Sequence, residues 1–187
     1  MPHHSYHRLR LAARVLRQGG LIAYPTEAVY GLGCDPRNAF AVRRLLEVKE
    51  RSMAKGLILI AADMGQLEPF VEWLGDARMP EIRASWPGPN TWLIPVKPTT
   101  PSWLTGRFET LAVRVTAHPL VAALCRTFGG AIVSTSANRS DRPPARSALE
   151  VRRTLGARLD YLLVGDCQGA ERPSVIRDGR TGRVLRA

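Results

Sequence analysis

A single α/β domain built on a mixed sheet is the fold class this sequence predicts. Three observations carry it. Short apolar runs of strand length alternate with segments of helical period. The last predicted strands follow one another too closely for helical crossovers, so the sheet cannot be purely parallel. A chain of 187 residues, 45% of them hydrophobic, suits one compact core spanning residues 1–187 better than two.

The opening segment sets Leu9, Ala12, Ala13 and Leu16 on one helical face with arginines opposite, and Gly19-Gly20 stops the helix. Residues 21–24 read as a short buried strand ended by Pro25. A second helix is expected from near Asn38 to Glu50, with Val42, Leu45, Leu46 and Val48 facing inward. Residues 57–61 form an apolar run and hence the next strand. Asp63-x-x-Gln66 has the form of a capping box, which predicts a helix through Trp73 and Leu74, and residues 81–86 suggest a further one. Trp86-Pro87-Gly88-Pro89 excludes regular structure. Residues 91–96 and 111–115 read as strands, 118–128 as a helix stopped by Gly129-Gly130, and 131–135 as a strand. Ser147-x-x-Glu150 is a second capping box, opening a helix that ends near Gly156. Short strands at 161–164, 175–177 and 184–186 complete the order.

Lys and Arg number 27 against 16 Asp and Glu, a formal charge of +11, which implies polyanionic company such as nucleotide phosphates or RNA. Only Lys49, Lys55 and Lys97 are lysines. The composition excludes collagen-like, coiled-coil and disordered chains. No apolar run approaches the ~20 residues that span a bilayer, and the Arg-dotted N-terminus is unlike a signal peptide, so a protein without membrane association is expected. Cys34, Cys125 and Cys167 are far apart and form no CxxC, which argues for a reducing cytoplasm and against a zinc site.

Four segments hold clustered polar groups next to predicted strands, where α/β proteins collect ligands. Residues 25–35 (PTEAVYGLGCD) carry Gly31 and Gly33, which suit either an ordinary turn or close backbone approach to an anion, with Thr26 offering a hydroxyl. Neither a Rossmann fingerprint nor a P-loop is present. In residues 49–56 the helix macrodipole explains one cation at a helix end, worth about 0.3–1 kcal/mol. Three cations in seven residues, Lys49, Arg51 and Lys55, are better explained by a polyphosphate. Ser134, Thr135, Ser136 and Asn138 crowd the end of a strand, either satisfying a turn or forming a site. Arg114 lies within an apolar strand, where alternation points it at solvent or, alternatively, at a substrate carboxylate.

Other chemistries find no support. The histidines are His3, His4, His7 and His118, three of them at the N-terminus, and no Ser/His/Asp, Cys/His, HExxH or paired-carboxylate arrangement is evident. Trp73, Trp86, Trp92 and Trp103 could stack bases, but core or turn packing is the simpler reading.

Taken together, PTEAVYGLGCD (25–35), Lys49-Glu50-Arg51 with Lys55, KGLILIA (55–61), WPGPNT (86–91), LAVRV with HPL (111–120), STSAN (134–138) and Pro173-Ser174 resemble the YrdC/TsaC-like family of threonylcarbamoyl-AMP synthases, in the family's order along nearly the whole chain. The resemblance implies the short single-domain form: a twisted mixed sheet with flanking helices around a positively charged cavity. It implies a nucleotidyltransferase that condenses L-threonine, bicarbonate and ATP to threonylcarbamoyl-AMP and pyrophosphate. The product would pass to a separate tRNA threonylcarbamoyl transferase complex acting on adenosine 37 of tRNAs that read ANN codons.

By that resemblance Lys49, Arg51, Ser136 and Asn138 form the catalytic set and, with Lys55 and Thr110, the nucleotide site. Thr26, Arg114, Ser134 and Ser174 surround threonine. Mg²⁺ is expected to arrive with ATP, without protein ligands of its own. Ala28 stands where many relatives carry a second Thr, and the segment 173–176 lacks a Thr that often follows the Ser. A monomer in the cytoplasm is expected. The rival reading is a non-catalytic module binding structured RNA or tRNA, motivated by charge, although no RNP-type or KH-type motif accompanies it.

Overall fold

The computed structural model describes residues 6–75, 77–170 and 174–186, so His3, His4 and Pro173 lie outside the described residues. In chain order the elements are α1 (Tyr6–Arg17), β1 (Ile22–Pro25), β2 (Tyr30–Gly33), α2 (Ala39–Lys49), β3 (Ile58–Ala61), α3 (Met79–Ala84), β4 (Asn90–Pro95), α4 (Ser102–Thr105), β5 (Thr110–Val115), α5 (Pro119–Phe128), β6 (Ile132–Ser136), α6 (Ala148–Leu155), β7 (Tyr161–Leu162), β8 (Val175–Asp178) and β9 (Val184–Arg186). The strands form one mixed sheet in the order β7-β1-β2-β6-β3-β5-β4-β8-β9. Parallel pairs are β1 with β7, β3 with β5 and β4 with β8. The tight C-terminal spacing produces the antiparallel β8–β9 pair, as the sequence implies.

Period-2 alternation sends each strand's side chains to two faces. On one face Leu59, Ala61, Trp92, Leu111, Val113, Val115 and Val133 pack with Val42 and Leu45 of α2, Ile82 of α3 and Val151 of α6. On the other, Ile22, Tyr24, Ile60 and Ile132 lie beneath Leu9, Ala12 and Leu16 of α1 and Leu124 and Cys125 of α5. Each fully buried Leu or Ile among them contributes about 1.5–3 kcal/mol. The apolar stripe of α1 falls on the expected residues.

Helix boundaries follow the local chemistry. Asn38 caps α2, its Oδ1 accepting from Ala41 N at 3.0 Å. Ser147 caps α6 through Glu150 N at 3.2 Å. Pro119 opens α5 at a position where no amide proton is needed, and Gly129, at φ 92°, closes it.

Three segments differ from expectation. The Asp63/Gln66 pair does form: Gln66 N donates to Asp63 Oδ1 at 3.1 Å and Ala62 N to Gln66 Oε1 at 2.9 Å. No helix follows, only a run of turns. Pro69 lacks the amide a helix needs and disfavours helical geometry at Glu68, and the chain leaves to bridge Val71 with Val96. Residues 30–33 are a strand rather than a loop, paired antiparallel with β1 and β6. The glycines there serve packing: a Cβ at Gly33 would lie 2.6 Å from the Val133 carbonyl oxygen and 2.8 Å from the Tyr24 ring. The single-turn helix α4 was not predicted.

Candidate active site

The sheet face beneath α1 and α5 continues past those helices, and there it turns polar. Along β5 the odd positions Leu111, Val113 and Val115 enter the core. The even positions Thr110, Ala112 and Arg114 line a cavity of about 420 Å³. The register aligns Ser134 of β6 with Ile58 of β3, and Ile58 with Ala112 of β5. Ala112 in turn faces Leu93 of β4. One row across four strands is therefore the cavity floor, and its size suits a small-molecule ligand.

The walls come from the loops. The β1–β2 turn contributes Thr26, Glu27 and Ala28; the segment after α2 contributes Arg51 and Lys55; β6 ends in Ser134, Thr135 and Ser136. Ser174 and Arg186 close the far side. Four cations thus meet a single carboxylate, Glu27, in the lining. Thr26 is buried, with its hydroxyl donating to the Val29 carbonyl at 2.7 Å. Ser174 Oγ lies 2.8 Å from Thr91 Oγ1, and Arg186 Nη2 donates to the Ser174 carbonyl at 2.9 Å. Arg51 Nη2 donates to the Gly56 carbonyl at 3.0 Å, which folds its guanidinium back over its own loop. Burial holds Arg51 below its ordinary value; burial together with Arg114 and Arg51 does the same for Arg186.

Lys49 stands apart from that lining. Only 3% exposed, its ammonium donates to the Ser136 carbonyl at 2.6 Å and to Asn138 Oδ1 at 2.8 Å, with Ser136 Oγ at 3.3 Å. Ser136 Oγ in turn donates to Asn138 Oδ1 at 2.6 Å. Ser140 fastens the same loop to the end of α2, its amide and hydroxyl both reaching the Lys49 carbonyl at 2.9 Å. Glu50, in the left-handed region at φ 51°, lets the chain reverse there. Burial, then the Arg51 charge, push the Lys49 ammonium down to about 8.

Arg114 is buried, and alternation points it into the cavity rather than to solvent. Its Nη1 lies 3.2 Å from Glu27 Oε2, with each side chain 9% exposed. Glu27 Oε1 accepts from the Thr116 hydroxyl at 2.7 Å and from Ala117 N at 3.3 Å. Burial favours the neutral acid, yet Arg114, the Thr116 hydroxyl and a backbone amide together hold the carboxyl below its ordinary value.

Of the residues singled out from the sequence, Thr26, Arg51, Lys55, Thr110, Arg114, Ser134, Ser136 and Ser174 line the cavity. Lys49 and Asn138 do not, and meet instead as the fastening behind Ser136. Glu27, Thr91 and Arg186 were missed. Glu27 carried a signal, being the one charge in residues 25–34; Arg186 carried none, as one arginine among 24. Trp86 and Trp92 are core residues, Trp73 packs edge-on to Trp86 at 6.3 Å, and Trp103 Nε1 donates to the Pro36 carbonyl. Among the described residues no group of three or more His, Cys, Asp or Glu is placed to hold a metal ion. None of their helices is long and apolar enough to cross a membrane.

The Sua5/YciO/YrdC family model, described as telomere recombination, matches residues 14–187. The chain belongs to the Sua5/YciO/YrdC family. A threonylcarbamoyl-AMP synthase of Nitrosococcus oceani is 57% identical over 179 residues, covering 96% of this chain and 97% of the relative. Another, from Halorhodospira halophila, is 59% identical, with 96% and 94% covered. Among solved structures of the family, P. abyssi Sua5 complexed with L-threonine superposes with a TM-score of 0.86 at 32% identity. That match covers 91% of this chain and 50% of the P. abyssi chain, so this member of the family spans about half the length of that protein and nearly all of its bacterial relatives.

Proposed function

We propose that this protein is a threonylcarbamoyl-AMP synthase, condensing L-threonine, bicarbonate and ATP into threonylcarbamoyl-adenylate and pyrophosphate for tRNA modification. The observation that carries the reading is the cavity row in which Ala112 faces Ser134 across β3, with Thr110 and Arg114 flanking Ala112 on the same face of β5 and Arg51, Lys55 and Ser174 bounding it. That row sits within a chain nearly 60% identical to named synthases along its length.

In this reading the threonine amine attacks the bicarbonate carbon, a C–O bond breaks with loss of water, and a carbamate results. Its oxygen attacks the α-phosphate of ATP, the P–O bond to pyrophosphate breaks, and no covalent enzyme intermediate is needed. The protein's task is positioning and charge neutralisation. Arg114 holds the amino-acid carboxylate as a planar fork, with Thr26, Ser134 and Ser174 supplying hydrogen bonds around it. Arg51, Lys55 and Thr110 hold the nucleotide phosphates, and Lys49 with Asn138 presents Ser136 to them. A buried partner for the substrate hydroxyl rejects valine far better than shape alone could. The single lining carboxylate, Glu27, is engaged by Arg114, so the donor set suits Mg²⁺ that enters as part of the ATP complex rather than a resident ion. The product goes to a tRNA threonylcarbamoyl transferase complex, and a cytoplasmic monomer is the form this reading implies.

Pyrophosphate release by purified protein should require threonine and bicarbonate together. Release that persists when threonine is omitted would sink the proposal.

A further inference from the structure

Pro89, just ahead of β4, and Leu93 within it line the cavity, whereas Thr91, between them on the same strand face, is 0% exposed and does not. Trp92 and Ile94 take the opposite side, in the core. What covers Thr91 is Ser174. Strand β8 runs parallel to β4 with Val175 opposite Asn90, and Val175 N donates to the Pro89 carbonyl at 3.0 Å, which brings Ser174 Oγ to 2.8 Å from Thr91 Oγ1. Among the described residues the Thr91 hydroxyl has no other hydrogen-bond partner. A hydroxyl has one proton to give and two lone pairs to receive with. If Ser174 donated to Thr91, the buried Thr91 proton would be left without an acceptor, the costlier arrangement. Thr91 therefore donates, Ser174 Oγ accepts, and the Ser174 proton is left for the cavity. Arg186 Nη2 meanwhile holds the Ser174 carbonyl at 2.9 Å, so the serine is fixed at its backbone as well as at its hydroxyl.

We infer that Thr91 is a positioning residue, which orients Ser174 as a hydrogen-bond donor toward an acceptor oxygen of the amino-acid substrate. The inference deepens the proposed function and rests on its placing of threonine beside Ser174. The polarity suits the lining, where Arg51, Lys55, Arg114 and Arg186 favour an anionic ligand whose oxygens accept. Thr91 itself touches no ligand. Without its bond Ser174 Oγ can turn among rotamers, and binding must then fix it at a cost in entropy.

Calorimetric binding of L-threonine to the full chain, run as a double-mutant cycle, tests this. Ser174→Ala should weaken binding by about tenfold, the scale of a hydrogen bond to a charged group. Thr91→Val keeps the shape without the hydroxyl and should weaken it about threefold or more. Thr91→Ser restores the donor and should lie within about twofold of wild type. In the Ser174→Ala background, adding Thr91→Val should change the affinity less than about 1.5-fold. An equal loss from Thr91→Val in both backgrounds would mean that Thr91 acts through packing alone, and overturns the inference. So does a Thr91→Ser variant as weak as Thr91→Val. Should Thr91→Val melt before the assay temperature, Thr91→Cys, with its weaker S–H donor, takes its place under the same criterion. Failure of the wild-type protein to bind threonine would overturn the proposed function itself, and Ser174→Ala binding like wild type would remove Ser174 from it; either result removes the role of Thr91 as well.

Discussion

The ammonium of Lys49, at the last turn of α2, lies 2.6 Å from the carbonyl oxygen of Ser136, 87 residues further along the chain. Through this contact and the Asn138 amide at 2.8 Å, a helix end outside the cavity fixes a hydroxyl inside it.

Lys49→Ala should therefore reduce threonine-dependent pyrophosphate release at least tenfold, although Lys49 lines no part of the cavity. The Ser136 carbonyl and Asn138 Oδ1 lose a charged donor at about 1.5–3 kcal/mol, which frees the loop that presents Ser136. Arg51→Ala should fall by a similar factor through direct loss of a cavity cation. Initial-rate measurements on both variants, with melting curves to confirm folding, make the check; a near-wild-type rate for either removes that residue from the machinery.

The same ammonium should leave a mark on stability above neutrality. Lys49 is pushed from an ordinary 10.5 down to about 8 by burial and by Arg51. Below about pH 8 both folded and unfolded states hold the proton, and the charge counts against the fold in full. As pH rises from about 8 the folded state releases it first, the unfolded state binds more protons, and stability rises. Burial pushes the Cys125 thiol from 9.0 up to about 12, which opposes this trend only above about pH 9. Unfolding free energies between about pH 7.5 and 9 should therefore climb for the wild type relative to Lys49→Met. A constant difference would show that Lys49 stays charged.

Arg114→Gln should raise the KM for threonine by about tenfold or more and weaken the fold. Removing one member of a buried ion pair costs about 3–5 kcal/mol, since Glu27 is left charged without its partner. The acid limb provides a second readout. Glu27 is held below its ordinary value, so its stabilising contribution is present above that value and is lost as pH falls through the lower, folded one. Urea unfolding between about pH 6 and 3 should show this loss in the wild type, and it should be absent or reversed in Arg114→Gln.

Gly33→Ala should destabilise the protein by about 1–3 kcal/mol, because the new Cβ meets the Val133 carbonyl oxygen at 2.6 Å and the Tyr24 ring at 2.8 Å. Gly130→Ala is the control. Nothing lies within 4 Å of its Cβ position, and a change below about 0.5 kcal/mol is expected. Thermal denaturation of the pair reads both.

Much of this was legible in the sequence, for local reasons. The α1 stripe, the Asn38 and Ser147 caps and the apolar β3 run are each specified within a few residues, and each formed close to where the pattern put it. The failures were of two kinds. Gln66 N bonded to the Asp63 side chain and the Gln66 side chain to Ala62 N, but Pro69 overrode this start, a local conflict visible in the sequence. Arg114 could not be assigned a side from alternation alone, because both faces of β5 are buried: one against the core and one against the cavity. Glu27 stood out as the one charge of its segment, but its pairing with Arg114, like that of Arg186 with Ser174, depends on strands and loops that meet only in three dimensions.

The allotment of the two faces of β5, one to the packed core and one to the cavity, also bears on how faithfully the chain must fold. A slip of one residue between β5 and its neighbours would exchange the two sets of side chains, placing Val113 at the cavity floor and Arg114 against Leu59 and Trp92. A guanidinium forced against that core would stand without Glu27, so Arg114 penalises misregistered pairing, and the charge that lines the cavity also fixes the register of the sheet.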